Sequence, residues 1–420
     1  MKKKNYLMIS LVMLTFFVIS FMTNIIGPLI PDMIKGFKLS LTLVALLPFA
    51  FFIAYGLVSL PTGILIEKYN EKIIMVAAFT VSFLGSVLLT LFPNYFTAII
   101  SLFLIGAGMA MLQVVINPLL RVSGGEEHYA FNSVLAQLIF GLASFMSPLV
   151  YSYMALQLAA DKDTNTFVSG IFSMIPAELP WISVYFLFAI LSVLMIGIVL
   201  LFKFPKIELK NDEKSGDLNA HLRLLKRPVV IAYFFGIFCY VGTEQGIANW
   251  VSQFLFTYHG YDPQTEGAKI IAYFWGLMTA GGVIGLLLLK VVDSRVILVS
   301  FTLLAIISLS AGLFSTGSIA LIAFPLVGFF ASVMYPVIFS LALNSLKDQH
   351  GVFSGILLTG VAGGAVIPLI VGWIGDHWEL QSGMLFLYLT LAYILSIGFW
   401  ANPLVKNQTI QQARKLKSHK

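Results

Sequence analysis

The chain has 420 residues, of which 59% are hydrophobic and only 10% are charged, and its mean hydropathy is +0.94. A soluble domain carries about 25% charged residues, so this composition excludes a water-soluble fold. The net charge of +6 could indicate a nucleic-acid partner, but the distribution of the basic residues explains it without one. The single cysteine, Cys239, excludes a disulfide framework, and its apolar surroundings indicate no metal site and no cofactor.

The chain starts with three lysines, Lys2 to Lys4, and is then apolar to about Ile30. A signal peptide would have a shorter apolar core, of roughly 7–15 residues, followed by small residues at a cleavage site. We therefore expect this segment to persist as the first membrane-spanning helix.

About twelve apolar segments, the first included, follow one another along the chain between polar breaks. The apolar runs are continuous and about 20 residues long, which predicts α-helices that cross a hydrocarbon core of about 30 Å and not the alternating strands of a β-barrel. The predicted spans are approximately 6–30, 41–64, 72–92, 96–120, 130–157, 180–202, 229–257, 269–289, 294–314, 318–345, 352–374 and 382–403.

Lysine and arginine are unequally distributed between alternate loops. All 25 of them except Lys35, Lys38, Lys162 and Lys269 fall on the side of the membrane that carries the N-terminus. Because cytoplasmic loops are enriched in these residues, both termini are predicted to be cytoplasmic and the 158–179 loop external. We expect a multi-pass protein of a bacterial-type cytoplasmic (inner) membrane.

The longest charged stretch, residues 204–227, lies between the sixth and seventh spans. It divides the chain into an N-terminal six-helix bundle (1–203) and a C-terminal six-helix bundle (228–405), followed by a cytoplasmic tail (406–420). Six spans, a charged linker and six more spans is a layout that resembles the major facilitator superfamily, in which the two halves are parallel repeats. The predicted fold is therefore all-α, with about 12 transmembrane helices in two pseudo-symmetric bundles.

Glu244 lies near the middle of the seventh span, between Gly242 and Gly246. A charge at this depth of a bilayer costs about 3 kcal/mol on insertion scales, so such residues usually face a cavity that moves protons, ions or polar solutes. Removal from water favours the protonated carboxyl group, so Glu244 could be neutral in one conformation and charged in another. The glycines permit either close backbone approach or local unwinding. The alternative role for Glu244 is a structural hydrogen bond between helices.

Polar residues of other spans could line the same cavity. Amides both donate and accept hydrogen bonds, which suits a hydroxyl-rich solute, and tryptophan can stack on a sugar face. Hydrogen bonds between helices, worth about 0.6–2 kcal/mol each, are the alternative role for the amides. The predicted solute-binding residues are Asn24, Gln113, Asn117, Gln137, Gln245, Asn249, Trp250 and Trp275.

The segment after the second span reads Gly63-Ile-Leu-Ile-Glu67-Lys-Tyr-Asn-Glu71-Lys72. It is similar to the superfamily's Gly-x-Leu-Ala-Asp-Arg-x-Gly-Arg-Lys loop, with the acidic residue and the final lysine retained and the arginines and second glycine absent. The resemblance implies that Glu67 and Lys72 take part in gating on the cytoplasmic side.

The sharpest motifs lie mainly in the second half of the chain. They are Met334-Tyr335-Pro336 leading to Asn344, Gly360 to Pro368, Gly375-Asp376, and Tyr240-Val-Gly-x-Glu244, with Asn117-Pro118 in the first half. Together they resemble the signature of the fucose and glucose/galactose:proton symporter family. That resemblance implies import of a monosaccharide together with a proton.

Three positions depart from the family pattern. An acid on helix 1 is replaced by Gly27, a glutamate on helix 4 by Gln113, and an arginine often present on helix 8 by Gly282. The proton relay implied by the family is therefore incomplete in the first half. Coupling through Glu244, coupling to another cation such as sodium, and uncoupled transport all remain open.

We interpret the chain as a secondary transporter that imports a small polar solute by alternating access with cation symport. A monosaccharide is the preferred candidate for the solute. A proton-coupled exporter of drugs or other small molecules is the main alternative. A nutrient sensor or a membrane enzyme fits less well, because the sequence has neither an appended soluble domain nor a catalytic constellation nor a phosphate-binding loop. The expected partners are the solute, a proton or sodium ion and the lipid bilayer, and the expected state is a monomer.

Overall fold

The computed structural model describes residues 6–125, 128–159, 179–204, 223–346 and 349–404. Every regular element in these ranges is helical, and twelve helices are long and apolar enough to cross a membrane. The predicted all-α fold with about 12 spans is thus confirmed. The spans are α1 Tyr6–Phe37, α2 Leu41–Lys68, α3 Glu71–Leu91, α4 Tyr95–Gly124, α5 Tyr129–Ala159, α6 Pro180–Leu201, α7 Pro228–His259, α8 Pro263–Leu288, α9 Ser294–Phe314, α10 Gly317–Leu343, α11 Val352–His377 and α12 Leu380–Trp400.

Short polar residues start several of these helices. The side chains of Ser40, Asn70 and Asn94 accept hydrogen bonds from backbone N–H groups in the first turns of α2, α3 and α4. Such caps satisfy N–H groups that have no partner inside the helix. The starts of these three helices are therefore set by capping residues that can be recognised in the sequence.

Proline interrupts two of the spans. In α1 one helix ends at Asn24 and the next begins at Ile26, shortly before Pro28; in α10 the break between Ala331 and Met334 precedes Pro336. Because proline has no N–H, the carbonyl four residues earlier loses its helical hydrogen bond, and the helix bends or breaks there.

Within the first half, small residues let the helices approach at backbone distance. A Cβ atom added at Gly106 of α4 would collide with the backbone of Phe51 in α2, and one at Gly85 of α3 would lie 2.8 Å from the Ser101 carbonyl oxygen of α4. Contacts of this kind are a common source of helix association in membranes.

The two halves meet most closely at one end of the bundle. We call the end where α1 begins and α12 finishes the proximal end, and the opposite end the distal end. In the distal part, Gly27 of α1 lies against the backbone of Ala248 in α7, and a Cβ at Gly372 of α11 would lie 2.7 Å from the carbonyl oxygen of Leu41 in α2. Two seams between the halves are therefore closed at this end.

The seam between α5 and α8 is in contact near mid-depth and opens toward the proximal end. Gly141 of α5 lies directly against the side chain of Thr279 in α8. One turn nearer the proximal end, Gln137 is exposed, and a Cβ at Gly282 would meet no atom within 4 Å. The two halves are thus joined in the distal part at the α1–α7 and α2–α11 seams and separate toward the proximal end at the α5–α8 seam.

Several helices extend beyond the apolar segments that predicted them, and three of these extensions carry polar residues that contact another helix. α1 continues past 30 to Phe37, α8 begins at Pro263 rather than at 269, and α11 continues past 374 to His377. Asp32, Gln264 and Asp376 lie in these added turns, and their side chains are hydrogen-bonded to other helices. The interior of the predicted linker and the C-terminal tail lie outside the described residues.

Candidate functional site

A carboxylate and two phenols come together near the middle of the C-terminal half. Glu244, in the middle of α7, is hydrogen-bonded to the side chain of Tyr240 one turn earlier and accepts a second bond of 3.3 Å from Gln245 Nε2. The Tyr240 ring lies 5.6 Å, centroid to centroid, from the ring of Tyr335 on α10. Both hydrogen-bond partners are neutral, so they stabilise the carboxylate without cancelling its charge.

The glycines that flank Glu244 serve close packing. A Cβ at Gly242 would lie 3.1 Å from the carbonyl oxygen of Gly363 in α11, and one at Gly246 would lie 2.7 Å from Leu387 Cδ2 in α12. The helix is continuous from Pro228 to His259. Of the two roles that the sequence allowed, the structure shows close approach and no unwinding.

Further along α7 and α8, three predicted site residues are buried. Asn249 is 1% exposed and Trp275 is 4% exposed, and neither the Asn249 Nδ2 nor the Trp275 Nε1 atom has a hydrogen-bond partner among the described residues. Buried polar atoms without partners are uncommon, which makes both groups candidates for solute contact. Trp250 differs, because its Nε1 donates to the Pro368 carbonyl oxygen at 3.0 Å and ties α7 to α11.

In the N-terminal half, the predicted amides fall into two groups. Asn24 is buried and donates to Ser144 Oγ at 2.8 Å, inside a network between α1 and α5 that includes Ser20. That contact matches the alternative, interhelical role. Gln113 and Asn117 instead lie one turn apart on a single face of α4, with Asn117 exposed and its Nδ2 donating to the Gln113 carbonyl oxygen at 3.3 Å.

A model of the Major Facilitator Superfamily matches residues 12–368. The chain belongs to this superfamily. It is 30% identical to the glucose/galactose transporter of Brucella abortus strain 9-941 over 406 residues, which cover 94% of each chain. It is 27% identical to a putative glucose/galactose transporter of Helicobacter pylori, over 92% of this chain, and 25% identical to the L-fucose-proton symporter of Escherichia coli K12, over 86% of this chain and 85% of that one.

Solved structures of this superfamily share the fold. The crystal structure of the Escherichia coli fucose:proton symporter matches with a TM-score of 0.66 at 23% identity, covering 94% of this chain and 98% of that one. An inward-facing bacterial homologue of the human lysosomal transporter Spinster matches with a TM-score of 0.77 at 15% identity, covering the same shares. The predicted family, and with it the prediction of a multi-pass membrane transporter, is confirmed.

In the segment after α2 that resembles the superfamily loop, Lys72 makes polar contacts with another helix. Lys72 Nζ donates to the carbonyl oxygens of Leu200, at 2.7 Å, and Phe202, at 3.0 Å, at the end of α6. A cation at a helix C-terminus is favourable because the last carbonyl groups lack helical partners. Lys72 thus joins two helices of the same half, its gating role stays a prediction, and the Glu67 side chain lies outside the described part of the chain.

Four polar residues that are absent from the predicted site contact other spans, either beside Glu244 or at the distal end. Tyr335 was noted only as part of a family motif, although it faces Tyr240 across the site. At the distal end, Asp32 accepts hydrogen bonds from both Tyr151 and Gln264. The only signal for these three was a polar residue beside an apolar run, which equally describes an ordinary loop.

One groove on the described surface is apolar and lies apart from the candidate site. It lies between α3 and α6, encloses about 330 Å³ and is lined by apolar atoms only, among them those of Phe83, Val87 and Val193. A hydroxyl-rich solute would find no hydrogen-bond partner there. The groove fits the surface of a helix pair that faces lipid.

Proposed function

We propose that the protein is a secondary transporter that imports a monosaccharide by alternating access, in symport with a cation, and that the cation is a proton carried by Glu244. The observation that carries the proposal is the Glu244 carboxylate in the middle of α7, held by Tyr240 and Gln245 and next to Tyr335 of α10. Such a group is costly in a membrane and is usually kept for transport.

The chemistry of the surrounding groups supports a sugar as the solute. Sugars require both donors and acceptors along the path, and the exposed amides of Asn117 and Gln137, with the unpartnered atoms of Asn249 and Trp275, supply them. The relatives named as glucose/galactose transporters, 30% and 27% identical over most of the chain, support the same class.

The neutral surroundings of Glu244 support coupling to a proton. Among the described residues Glu244 has no positively charged partner, so its ionised carboxylate depends on two hydrogen bonds and on access to water. Closing the cavity around it favours the protonated form, so a proton is taken up before the halves change conformation and is released afterwards. The E. coli relative named as an L-fucose-proton symporter supports a proton over sodium.

The direction of transport follows from the predicted orientation. The proximal end carries the lysine-rich and arginine-rich loops and is therefore assigned to the cytoplasm. On that assignment, the conformation with a closed distal end and separated proximal parts faces inward. Import then begins from the opposite conformation, in which the distal end opens to the outside.

A counterflow assay in proteoliposomes tests the proposal. Vesicles loaded with one unlabelled sugar are diluted into the same labelled sugar, with glucose, galactose and fucose each used in turn and mannitol as the control. Accumulation is then measured with an imposed proton gradient, with an imposed sodium gradient and with neither.

We expect counterflow of at least one of the three sugars, and accumulation driven by the proton gradient alone. Accumulation driven only by sodium would replace the proton in the proposal. Absence of counterflow for all three sugars, together with proton-driven efflux of apolar cations, would favour the exporter instead.

A further inference from the structure

Asp32 connects the two halves at the distal end and takes no part in the proposed solute site. Its carboxylate, in the last turns of α1, accepts a hydrogen bond from the Tyr151 hydroxyl group of α5 in the same half. It also accepts from Gln264 Nε2, with distances of 3.1 and 3.3 Å to its two oxygen atoms. Gln264 lies in the first turn of α8, so this second contact crosses from one half to the other.

Asp376 makes the reciprocal contact from the second half. It lies at the end of α11, and its Oδ1 and Oδ2 atoms accept from the backbone N–H groups of Leu41, at 2.8 Å, and Thr42, at 2.7 Å. These residues start α2, where N–H groups have no helical partner and an anion is favourable. The carboxylate of one half thus completes the N-terminal cap of a helix in the other.

Small residues allow this second contact. A Cβ at Gly375 would lie 2.8 Å from Leu41 Cδ1, and one at Gly372 would lie 3.1 Å from Ala45 Cβ. The end of α11 therefore lies close enough to α2 for Asp376 to reach the backbone of Leu41 and Thr42.

We propose that Asp32 and Asp376 form a two-point latch that holds the distal end closed, and that each transport cycle must break and remake it. The hydrogen bonds to Asp32 and Asp376 that cross between the halves exist only while the distal ends touch. Separation of the halves exposes the carboxylates, Gln264 and the start of α2 to water, which replaces the lost partners. The latch residues act on the conformational equilibrium and make no contact with the solute.

The two points of the latch differ in strength. Asp376 is exposed, so solvent screens its contacts, whereas Asp32 is partly buried and its carboxylate is aligned by the Tyr151 hydroxyl group. Hydrogen bonds to charged groups are worth about two to three times more than neutral ones, and more where water is excluded. Loss of the Asp32 contact should therefore shift the equilibrium further than loss of the Asp376 contact.

The latch can be tested by measuring a distance across the distal end in the full-length protein, reconstituted without solute. Spin labels are placed at Phe96 on α4 and Ser318 on α10, two exposed distal positions in opposite halves, in a Cys239→Ser background. The population of the longer distance is compared among Asp32→Ala, Gln264→Ala, Asp376→Ala and the unchanged protein.

We expect the ratio of distal-open to distal-closed molecules to rise roughly 10-fold in Asp32→Ala and Gln264→Ala, and roughly 2- to 10-fold in Asp376→Ala. Gln264→Ala removes the same contact from the other half, so it tests the latch even if Asp32→Ala does not fold. Asp293→Ala is the matched control, because Asp293 caps α9 within one half, through Arg295 N at 2.9 Å.

An unchanged distance distribution in Gln264→Ala and Asp376→Ala would overturn the latch. So would an equal shift in Asp293→Ala, which would indicate a general loss of stability. The inference builds on the proposed alternating-access transport, but the distance measurement contains no solute and no ion gradient. Failure of the latch would therefore leave the assignment of sugar and proton untouched, and failure of that assignment would leave the latch intact.

Discussion

Two carboxylates inside the spans differ in what holds them. Glu244 is bonded by residues of its own helix, so its charge can change while the contacts between the halves persist. Asp32 is bonded across the halves, so its contacts must break whenever the distal end opens. The first residue suits ion coupling and the second suits conformational control.

Replacing Glu244 with glutamine should separate exchange from accumulation. Gln keeps the shape of the side chain and most of its hydrogen-bonding capacity but cannot carry a proton. The variant should still exchange sugar across the membrane, because exchange needs no net proton transfer. Accumulation against a gradient should fall to the level of protein-free vesicles, and the pH dependence of transport should disappear.

Glu266→Gln is the matched control for this experiment. Glu266 is also a glutamate on the second half, but its carboxylate is bonded to the neighbouring Thr265 in the first turn of α8. Its substitution should leave accumulation unchanged. Full gradient-driven accumulation by a well-folded Glu244→Gln protein would eliminate Glu244 as the coupling group.

The amides of the first half should respond differently to alanine. Asn117→Ala and Gln113→Ala should weaken sugar binding about 2- to 13-fold, the value of one hydrogen bond to a neutral hydroxyl group, with no change in thermal stability. Asn24→Ala should instead lower the melting temperature, because it breaks the buried contact with Ser144. Isothermal titration calorimetry measures sugar binding, and thermal unfolding in detergent measures stability.

Two other outcomes would change the roles given to these three amides. Unchanged sugar binding in both α4 variants would return Gln113 and Asn117 to a role in helix packing. Weaker binding in Asn24→Ala at unchanged stability would move Asn24 into the solute site, as the sequence predicts.

At the scale of the helix, hydropathy predicted the number of spans but not their ends. Asp32, Gln264 and Asp376 all lie in terminal turns beyond the predicted apolar segments. A polar residue lowers the hydropathy of its neighbourhood whether it faces water or is hydrogen-bonded to another helix. Only the position of the partner helix separates the two cases, and that position is absent from a single sequence.

The same limit applies to Trp250 and Asn24. An amide or an indole N–H that binds a solute and one that bridges two helices have the same residue type and a similar location along the span. Glu244 was easier to identify, because a carboxylate in mid-span has few structural uses. Its partner Tyr240 also lies four residues earlier, where helical geometry alone predicts contact.

Close approach of α1 and α7 should be necessary for the distal end to close. Gly27→Ala adds a methyl group where the Ala248 backbone lies. The two halves would then be kept apart at that level, so we expect a reduction of more than roughly 10-fold in the rate of sugar exchange, with folding retained because each half packs independently of this contact. Exchange in proteoliposomes and thermal unfolding measure the two properties.

Gly282→Ala is the control for that variant, since a Cβ at Gly282 meets open space. It should exchange sugar at the unchanged rate. Normal exchange by Gly27→Ala would show that the α1–α7 seam can yield by a few tenths of an ångström and is not part of the closed gate.

At the scale of the molecule, the arrangement of spans was predictable and the conformation was not. Continuous apolar runs, the charged stretch between the sixth and seventh spans and the loop charges predict a two-half transporter with a defined orientation. One sequence must support both the inward-facing and the outward-facing conformation, however. The seams at Gly27, Gly141 and Gly372 therefore had to be found in the structure.

The predicted orientation can be tested with cysteines at two positions outside the described residues. Single cysteines replacing Asn165 and Ser215, each in a Cys239→Ser background, should react with a membrane-impermeant maleimide from opposite sides of the membrane. Asn165 should react in intact cells and Ser215 only after permeabilisation. Reaction of both from outside would reverse or break the topology, and with it the direction assigned to transport.

The position of Glu244 along α7 has a consequence for the electrical behaviour of transport. It lies 16 residues after Pro228 and 15 residues before His259, which places it about 24 Å from one end of the helix and about 22 Å from the other. A proton bound there has crossed about half of the membrane voltage, which amounts to roughly 1.1 kcal/mol per 100 mV on each side. A negative interior would thus promote both loading from outside and release to the inside, so neither step alone would carry the full voltage dependence.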